Sequence, residues 1–101
     1  MARLLILGAG GIANVMAVKV SQKPDTFSSL CIASRTHEKC AEIAKRIGSA
    51  VPVTTAQIDA RDRTLVAELI RTETASIVIN AALPEHNLPI MDACLEAGAH
   101  Y

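Results

Sequence analysis

Three small residues near the start of the chain, Gly8, Gly10 and Ala13, have the spacing of a phosphate-binding turn. The apolar residues 4–7 before them predict a strand, and the residues from 11 onward predict a helix. Gly8 would permit the tight turn, Gly10 a close approach of backbone to a pyrophosphate, and Ala13 close packing of helix on sheet. The free N–H groups at the start of the helix favour an anion. The pattern predicts a dinucleotide-binding turn, and the alternative is an unoccupied strand–helix turn.

The end of the second predicted strand carries the groups that would select the cofactor. Residues 30–33 are followed by Ser34, Arg35 and Thr36, where a fold selective for NAD places an acidic residue. A guanidinium forks onto phosphate oxygens and stacks on adenine, and the two hydroxyls add donors. These residue types favour the 2′-phosphate of NADP. Alternatively Arg35 is a solvated loop residue, and in either case Thr36 is expected to cap the next helix with its side chain.

Two further strand ends carry candidate site residues. Asp59 follows the third predicted strand, where its carboxylate would accept from the amino group of adenine, although a simple turn residue is equally compatible. Asn80 ends the fourth strand, and the small Ala81 and Ala82 after it would let the backbone pass close to the cofactor. Asn80 is alternatively a local turn or cap residue. His86, before the last helix, is a candidate catalytic or substrate-contacting group.

The elements that position these groups alternate between strand and helix. Strands are predicted at residues 3–7, 30–33, 53–58 and 76–80, with helices starting near 11, 36, 62 and 87. Asp62 is the expected N-cap of the third helix. Strict alternation predicts an α/β fold with a doubly wound parallel sheet of the Rossmann type and strand order 3-2-1-4. We expect residues 99–101 to begin a fifth strand, and residues 1–101 to be one domain truncated there, the N-terminal part of a longer protein.

The composition argues against several classes of partner. Half of the 101 residues are hydrophobic, ten basic residues balance ten acidic ones, and the only aromatic residues are Phe27 and Tyr101. A balanced charge provides no field that steers nucleic acid, and few aromatic rings are available to stack on bases. No apolar stretch reaches the roughly 18 residues of a membrane span. We expect a cytoplasmic protein that binds small molecules.

The three cysteines indicate a reducing compartment. Cys31, Cys40 and Cys94 are odd in number and show no Cys-x-x-Cys spacing. They are most simply reduced thiols of a cytosolic protein. The alternative is a zinc site that uses Cys31, Cys40 and one histidine.

Five segments resemble the saccharopine dehydrogenase family, and together they extend over essentially the whole chain. They are Leu-Gly-Ala-Gly-Gly-Ile-Ala at 7–13, Ala-Ser-Arg-Thr-x-x-Lys-Cys at 33–40, Thr-Thr-Ala-Gln-Ile-Asp-Ala at 54–60, Val-Ile-Asn-Ala-Ala-Leu-Pro at 78–84 and Met-Asp-Ala-Cys-Leu-Glu-Ala-Gly-Ala-His-Tyr at 91–101. The resemblance implies an NADPH-dependent reductive condensation, in which an amine and an aldehyde form an imine that hydride reduces to a secondary amine. It favours aspartate semialdehyde as the aldehyde and diaminopropane or putrescine as the amine.

The same resemblance implies roles for individual residues. By matching position it assigns the pyrophosphate to Gly8, Gly10, Gly11 and Ile12, the 2′-phosphate to Ser34, Arg35 and Thr36, the adenine to Asp59 and Ala60, and the nicotinamide ribose to Ala81, Ala82, Leu83 and Pro84. It assigns no catalytic residue. It also implies a second α/β domain in longer relatives, which shapes the substrate site and forms a homodimer.

A different class of function is also compatible with the turn. Regulatory Rossmann modules bind a dinucleotide without doing chemistry. They typically keep an acidic residue at the end of the second strand, where this chain has Ala33, Ser34 and Arg35.

Overall fold

The computed structural model describes residues 2–48, 51–82 and 86–101. Four strands and four helices alternate along them, as predicted. The strands are β1 (Ala2–Leu7), β2 (Phe27–Ser34), β3 (Val53–Gln57) and β4 (Ile77–Asn80), and the helices are α1 (Gly11–Ser21), α2 (His37–Ile47), α3 (Arg63–Glu73) and α4 (Asn87–Ala97). β2 begins three residues earlier than predicted, because its first residues pair along the start of β1.

The four strands form one parallel sheet in the order β3-β2-β1-β4. The predicted strand order is therefore confirmed. From β1 the chain moves outward to β2 and β3, then crosses back to place β4 on the other side of β1. The strand order thus reverses beside β1, and in open α/β sheets ligands bind in the crevice at the carboxyl ends of strands at such a point.

One residue pairs with β4 on the side away from β1. His100 forms a parallel bridge with Ile77, in which its N–H donates to the Ser76 carbonyl and its carbonyl accepts from the Val78 N–H, both at 2.8 Å. This bridge agrees with the predicted start of a fifth strand at residues 99–101, adjacent to β4.

Side chains from the two faces of the sheet enter two separate cores. In β1, Leu5 and Leu7 pack with α3 and α4, whereas Leu4 and Ile6 pack with α1 and α2. All four are buried. This is why the strand is an unbroken apolar run rather than an alternating one.

The cysteines are distributed over both cores. Cys31, Cys40 and Cys94 are free and buried, and burial raises the pKa of Cys31 to about 12. Cys31 lies in the core under α3 and α4, and Cys40 in the core under α1 and α2. The sheet separates the two thiols that the zinc alternative would bring together.

The two predicted N-caps differ in their hydrogen bonds. The Asp62 carboxylate accepts from the Leu65 N–H at 3.1 Å, which confirms it as the cap of α3. Thr36 occupies the N-cap position of α2, but its side chain makes no capping hydrogen bond. The predicted cap position of Thr36 is therefore confirmed, whereas the side-chain hydrogen bond expected with it is wrong. The Thr36 N–H donates to the Ser34 hydroxyl at 3.1 Å in a local turn.

Asp62→Ala is expected to lower the stability of the domain by about 1 kcal/mol, since an N-cap carboxylate satisfies a helix N–H that alanine leaves without a partner. For a domain of this size, that loss lowers the Tm by roughly 4–8 °C. Thermal unfolding measures it, with Thr36→Ala as the matched control, because no side-chain cap is lost there. Equal losses in the two variants would contradict the assignment.

Candidate functional site

One cleft runs along the carboxyl ends of the strands. It has a volume of about 320 Å³ and is lined by residues at or beyond the ends of all four strands, namely Gly8, Ala9, Gly10, Ala33, Ser34, Arg35, Thr36, Lys39, Ile58, Asp59, Ala60, Ala81, Ala82 and His86. The cleft lies where the strand order reverses, as expected of a ligand site in this kind of sheet. It brings together candidate residues that are as far apart in the sequence as Gly8 and Ala82.

Gly8 is required where the turn leaves β1. Its φ of +120° is a conformation that side chains rarely adopt, and a Cβ there would lie 2.6 Å from the Ala81 carbonyl oxygen. The Gly8 N–H donates to the Ala33 carbonyl at 2.7 Å, and the Ala81 N–H donates to the Leu7 carbonyl at 2.8 Å. Gly8 therefore lets the segment after β4 close against the turn.

Gly10 and Gly11 have open space where a side chain would be. A Cβ on either residue would meet no heavy atom within 4 Å. Gly10 lines the cleft, whereas Gly11 and Ile12, assigned to the pyrophosphate with it, are not among the lining residues. Ala13 is fully buried and packs α1 on the sheet, as its place in the turn predicted.

Ser34, Arg35 and Thr36 all line the cleft at the end of β2. The Ser34 hydroxyl accepts from the Thr36 N–H and lies 3.2 Å from the Cys40 sulfur, so it is already engaged in local contacts. The Arg35 guanidinium is exposed and makes no hydrogen bond to the described residues. The Arg35 guanidinium is thus available at this strand end to bind an anion.

Sequence reasoning missed Lys39. No role was predicted for it from the sequence, yet it lines the cleft from the first turn of α2, close to Arg35 and Thr36. The available signal was its spacing, since residues three apart share a helix face and Thr36 is three positions earlier. Two cationic side chains, Arg35 and Lys39, therefore line the same end of the cleft.

Asp59 and Ala60 line the cleft beyond β3. The Asp59 carboxylate forms an ion pair with Arg61 at 2.8 Å and accepts from the Arg61 backbone N–H at 3.0 Å. The hydrogen bonds from the Arg61 side chain and backbone hold the pKa of Asp59 well below its usual range. The turn role of Asp59 is therefore present, and its contact with adenine stays a prediction.

The end of β4 contributes mainly backbone and small side chains. Ala81 and Ala82 line the cleft. Asn80 has the alternative role of a local turn residue, because its side-chain oxygen accepts from the Ala82 N–H at 2.9 Å. The Asn80 side-chain Nδ2 also donates to Asn87 Oδ1 at the start of α4. Leu83 and Pro84, assigned to the nicotinamide ribose, lie outside the described residues.

His86 lines the cleft just before α4. Its Nδ1 atom is buried and has no hydrogen-bond partner among the residues the structure describes. Buried polar atoms are usually satisfied by protein, water or ligand. The suggestion that His86 contacts substrate stays a prediction.

The cleft offers a dinucleotide an open glycine turn and two cations, Arg35 and Lys39, beside the end of β2. The residues present therefore fit a phosphorylated dinucleotide. None of the helices in the described ranges is long and apolar enough to cross a membrane.

Residues 4–101 match the family described as the saccharopine dehydrogenase NADP binding domain. Carboxyaminopropylagmatine dehydrogenase of Synechocystis sp. is 45% identical over 101 residues, which are all of this chain and 25% of that protein. Carboxynorspermidine synthase of Vibrio cholerae is 34% identical over 97% of this chain and 25% of its own length. The chain thus spans about a quarter of the length of these curated relatives.

Two solved structures share the fold. Apo saccharopine dehydrogenase (L-Glu forming) of Saccharomyces cerevisiae matches with a TM-score of 0.82 and 16% identity, over 98% of this chain and 20% of that one. UDP-glucose-4-epimerase of Stenotrophomonas maltophila, with bound NAD, matches with a TM-score of 0.80 and 20% identity, over 98% of this chain and 35% of its own. At these identities the likeness concerns architecture alone.

Proposed function

Because the chain belongs to the saccharopine dehydrogenase NADP-binding domain family, we propose that it is the NADPH-binding part of an oxidoreductase that reductively condenses an aldehyde with an amine. The observation that carries this proposal is the pairing of an open glycine turn with Arg35 and Lys39 in one cleft. No acidic residue lies at the end of β2, where the sequence is Ala33-Ser34-Arg35-Thr36. Because a sensing module typically keeps one there, the enzyme is favoured.

We propose aspartate semialdehyde as the aldehyde and a diamine as the amine, giving carboxynorspermidine or carboxyspermidine. The name of the Vibrio cholerae relative supports this product class, and the name of the Synechocystis relative adds agmatine as an amine to be tested. In the balanced reaction, aldehyde and amine lose water to form an imine. Bound NADPH supplies the hydride, and a proton from solvent or an acid completes the secondary amine.

In this reaction the residues of the cleft are proposed to bind and orient the cofactor. Arg35 and Lys39 hold the 2′-phosphate, and the N–H groups at the start of α1 hold the pyrophosphate. Ala81 and Ala82 leave room for the nicotinamide ribose beside the turn. Groups that hold the aldehyde and amine are proposed to lie in a second domain, in the part of the relatives that this chain does not match. The homodimer implied by the resemblance and the cytoplasmic location expected from the composition and the cysteines remain parts of the same proposal.

A chimaera tests the proposed function directly. The segment of the Synechocystis relative that aligns with this chain is replaced by the 101 residues, and NADP⁺-dependent oxidation of carboxyaminopropylagmatine is measured. We expect an active chimaera, and Gly10→Val in the same chimaera as an inactive control. A folded chimaera that binds NADPH without turnover would favour the sensing module instead.

The 101-residue chain alone is expected to bind NADPH but not to oxidise it, because the groups that hold the substrates are proposed to lie in the part of the relatives that this chain does not match. Absorbance of NADPH in the presence of aspartate semialdehyde and a diamine measures this, with a sample lacking protein as the control. Oxidation above that control would contradict the proposed division of labour between domains.

A further inference from the structure

A chain of hydrogen bonds links α2 to the glycine turn. The Gly10 carbonyl accepts from the Asn14 backbone N–H and from the Asn14 side-chain Nδ2, each at 3.0 Å. The Asn14 Oδ1 atom in turn accepts from Arg46 Nη1 at 2.7 Å. Arg46 is 32 residues from Asn14 in the sequence, so only the packing of α2 beside α1 brings them together.

The guanidinium fixes which way the Asn14 amide faces. Arginine has only donors, so it must be met by the amide oxygen, and the amide nitrogen is then directed at the Gly10 carbonyl. The backbone N–H bond to this carbonyl is present in any helix. The second bond, from the side chain, is specific to asparagine at this position, and Arg46 supports it.

Holding the Gly10 carbonyl also orients the next N–H. The carbonyl of Gly10 and the N–H of Gly11 belong to one planar trans peptide unit and point in opposite directions. Gly11 is the first residue of α1, where the N–H has no partner within the helix. Since neither glycine has a side chain to restrict the turn, the link to Arg46 adds a second restraint to a peptide that the Asn14 backbone N–H alone would otherwise hold.

We propose that Arg46, acting through Asn14, is a positioning residue that presents the Gly11 N–H to the pyrophosphate of the dinucleotide. The inference rests on the proposed placement of the pyrophosphate at this turn. Its energetic basis is preorganisation, because a donor already oriented loses less freedom when the ligand binds.

The test compares two ligands that differ in the pyrophosphate. NADPH contains it, whereas adenosine 2′-monophosphate keeps the 2′-phosphate and lacks the pyrophosphate. One hydrogen bond corresponds to a factor of about three to ten in affinity. Arg46→Ala and Asn14→Ala should therefore each lower the affinity for NADPH by that factor. Calorimetry should show the affinity for adenosine 2′-monophosphate unchanged in both variants. Lys45→Ala, which removes a neighbouring charge from α2, is the matched control.

The double variant separates a relay from two independent effects. If Arg46 acts through Asn14, the two losses do not add, and the double variant binds NADPH about as well as the weaker single variant. Additive losses, equal weakening of both ligands, or a lower Tm with unchanged affinity for NADPH would each overturn the inference. Failure of the unmutated chain to bind NADPH while it unfolds cooperatively would overturn the proposed function itself.

Discussion

Valine in place of Gly10 is expected to abolish NADPH binding while the domain still folds. Gly10 lines the cleft with a φ of −89°, and a Cβ there meets no heavy atom within 4 Å. The two methyl groups would occupy space proposed for phosphate oxygens without touching the core. Because valine is a poorer N-cap than glycine, the Tm of the free protein should fall by only a few degrees.

The ligand-induced change in Tm measures this loss. NADPH at about a hundred times its Kd stabilises the unmutated protein by about 2.7 kcal/mol, a rise in Tm of roughly 10 °C or more. Gly10→Val should show no rise. Asp62→Val is the matched control, since it damages the N-cap of α3 outside the cleft and should keep the full ligand-induced rise. A Gly10→Val protein that also keeps that rise would show that Gly10 does not contact the cofactor.

Arg35→Ala should narrow the preference for NADPH over NADH by about ten- to a hundredfold. A hydrogen bond to a charged group contributes about 1.5–3 kcal/mol, and each 1.4 kcal/mol is a factor of ten. Affinity for NADH should change little, because it lacks the 2′-phosphate. Calorimetry with both cofactors measures the ratio of the two affinities. Both titrations use the same low ionic strength, because salt screens exposed charges.

Two controls define the role of Arg35. Lys45→Ala removes a positive charge outside the cleft and should leave the ratio unchanged. Lys39→Ala removes the second cation of the cleft and should narrow the ratio further when combined with Arg35→Ala. Equal affinities of the unmutated chain for NADPH and NADH would contradict the assignment of this strand end to the 2′-phosphate.

Much of the fold was predictable because its signals are local. Buried parallel strands are apolar on both faces, so the run before Gly8 indicated its strand without knowledge of any partner. Alternation with helices then predicted the parallel pairing and the order β3-β2-β1-β4, which the structure confirms. The family followed from segments along the chain, and the residues after β1 and β2 indicated a phosphorylated dinucleotide.

What the sequence could not provide were contacts between segments far apart along the chain. A glycine at position 8 predicted a tight turn. Only the fold shows that the backbone of Ala81 leaves no room for a side chain at this position. Lys39 belongs to the cleft because α2 starts at its rim. Arg46 meets Asn14 only because α1 and α2 pack on the same face of the sheet. Such contacts depend on the relative placement of whole elements, which residue types and their spacing do not specify.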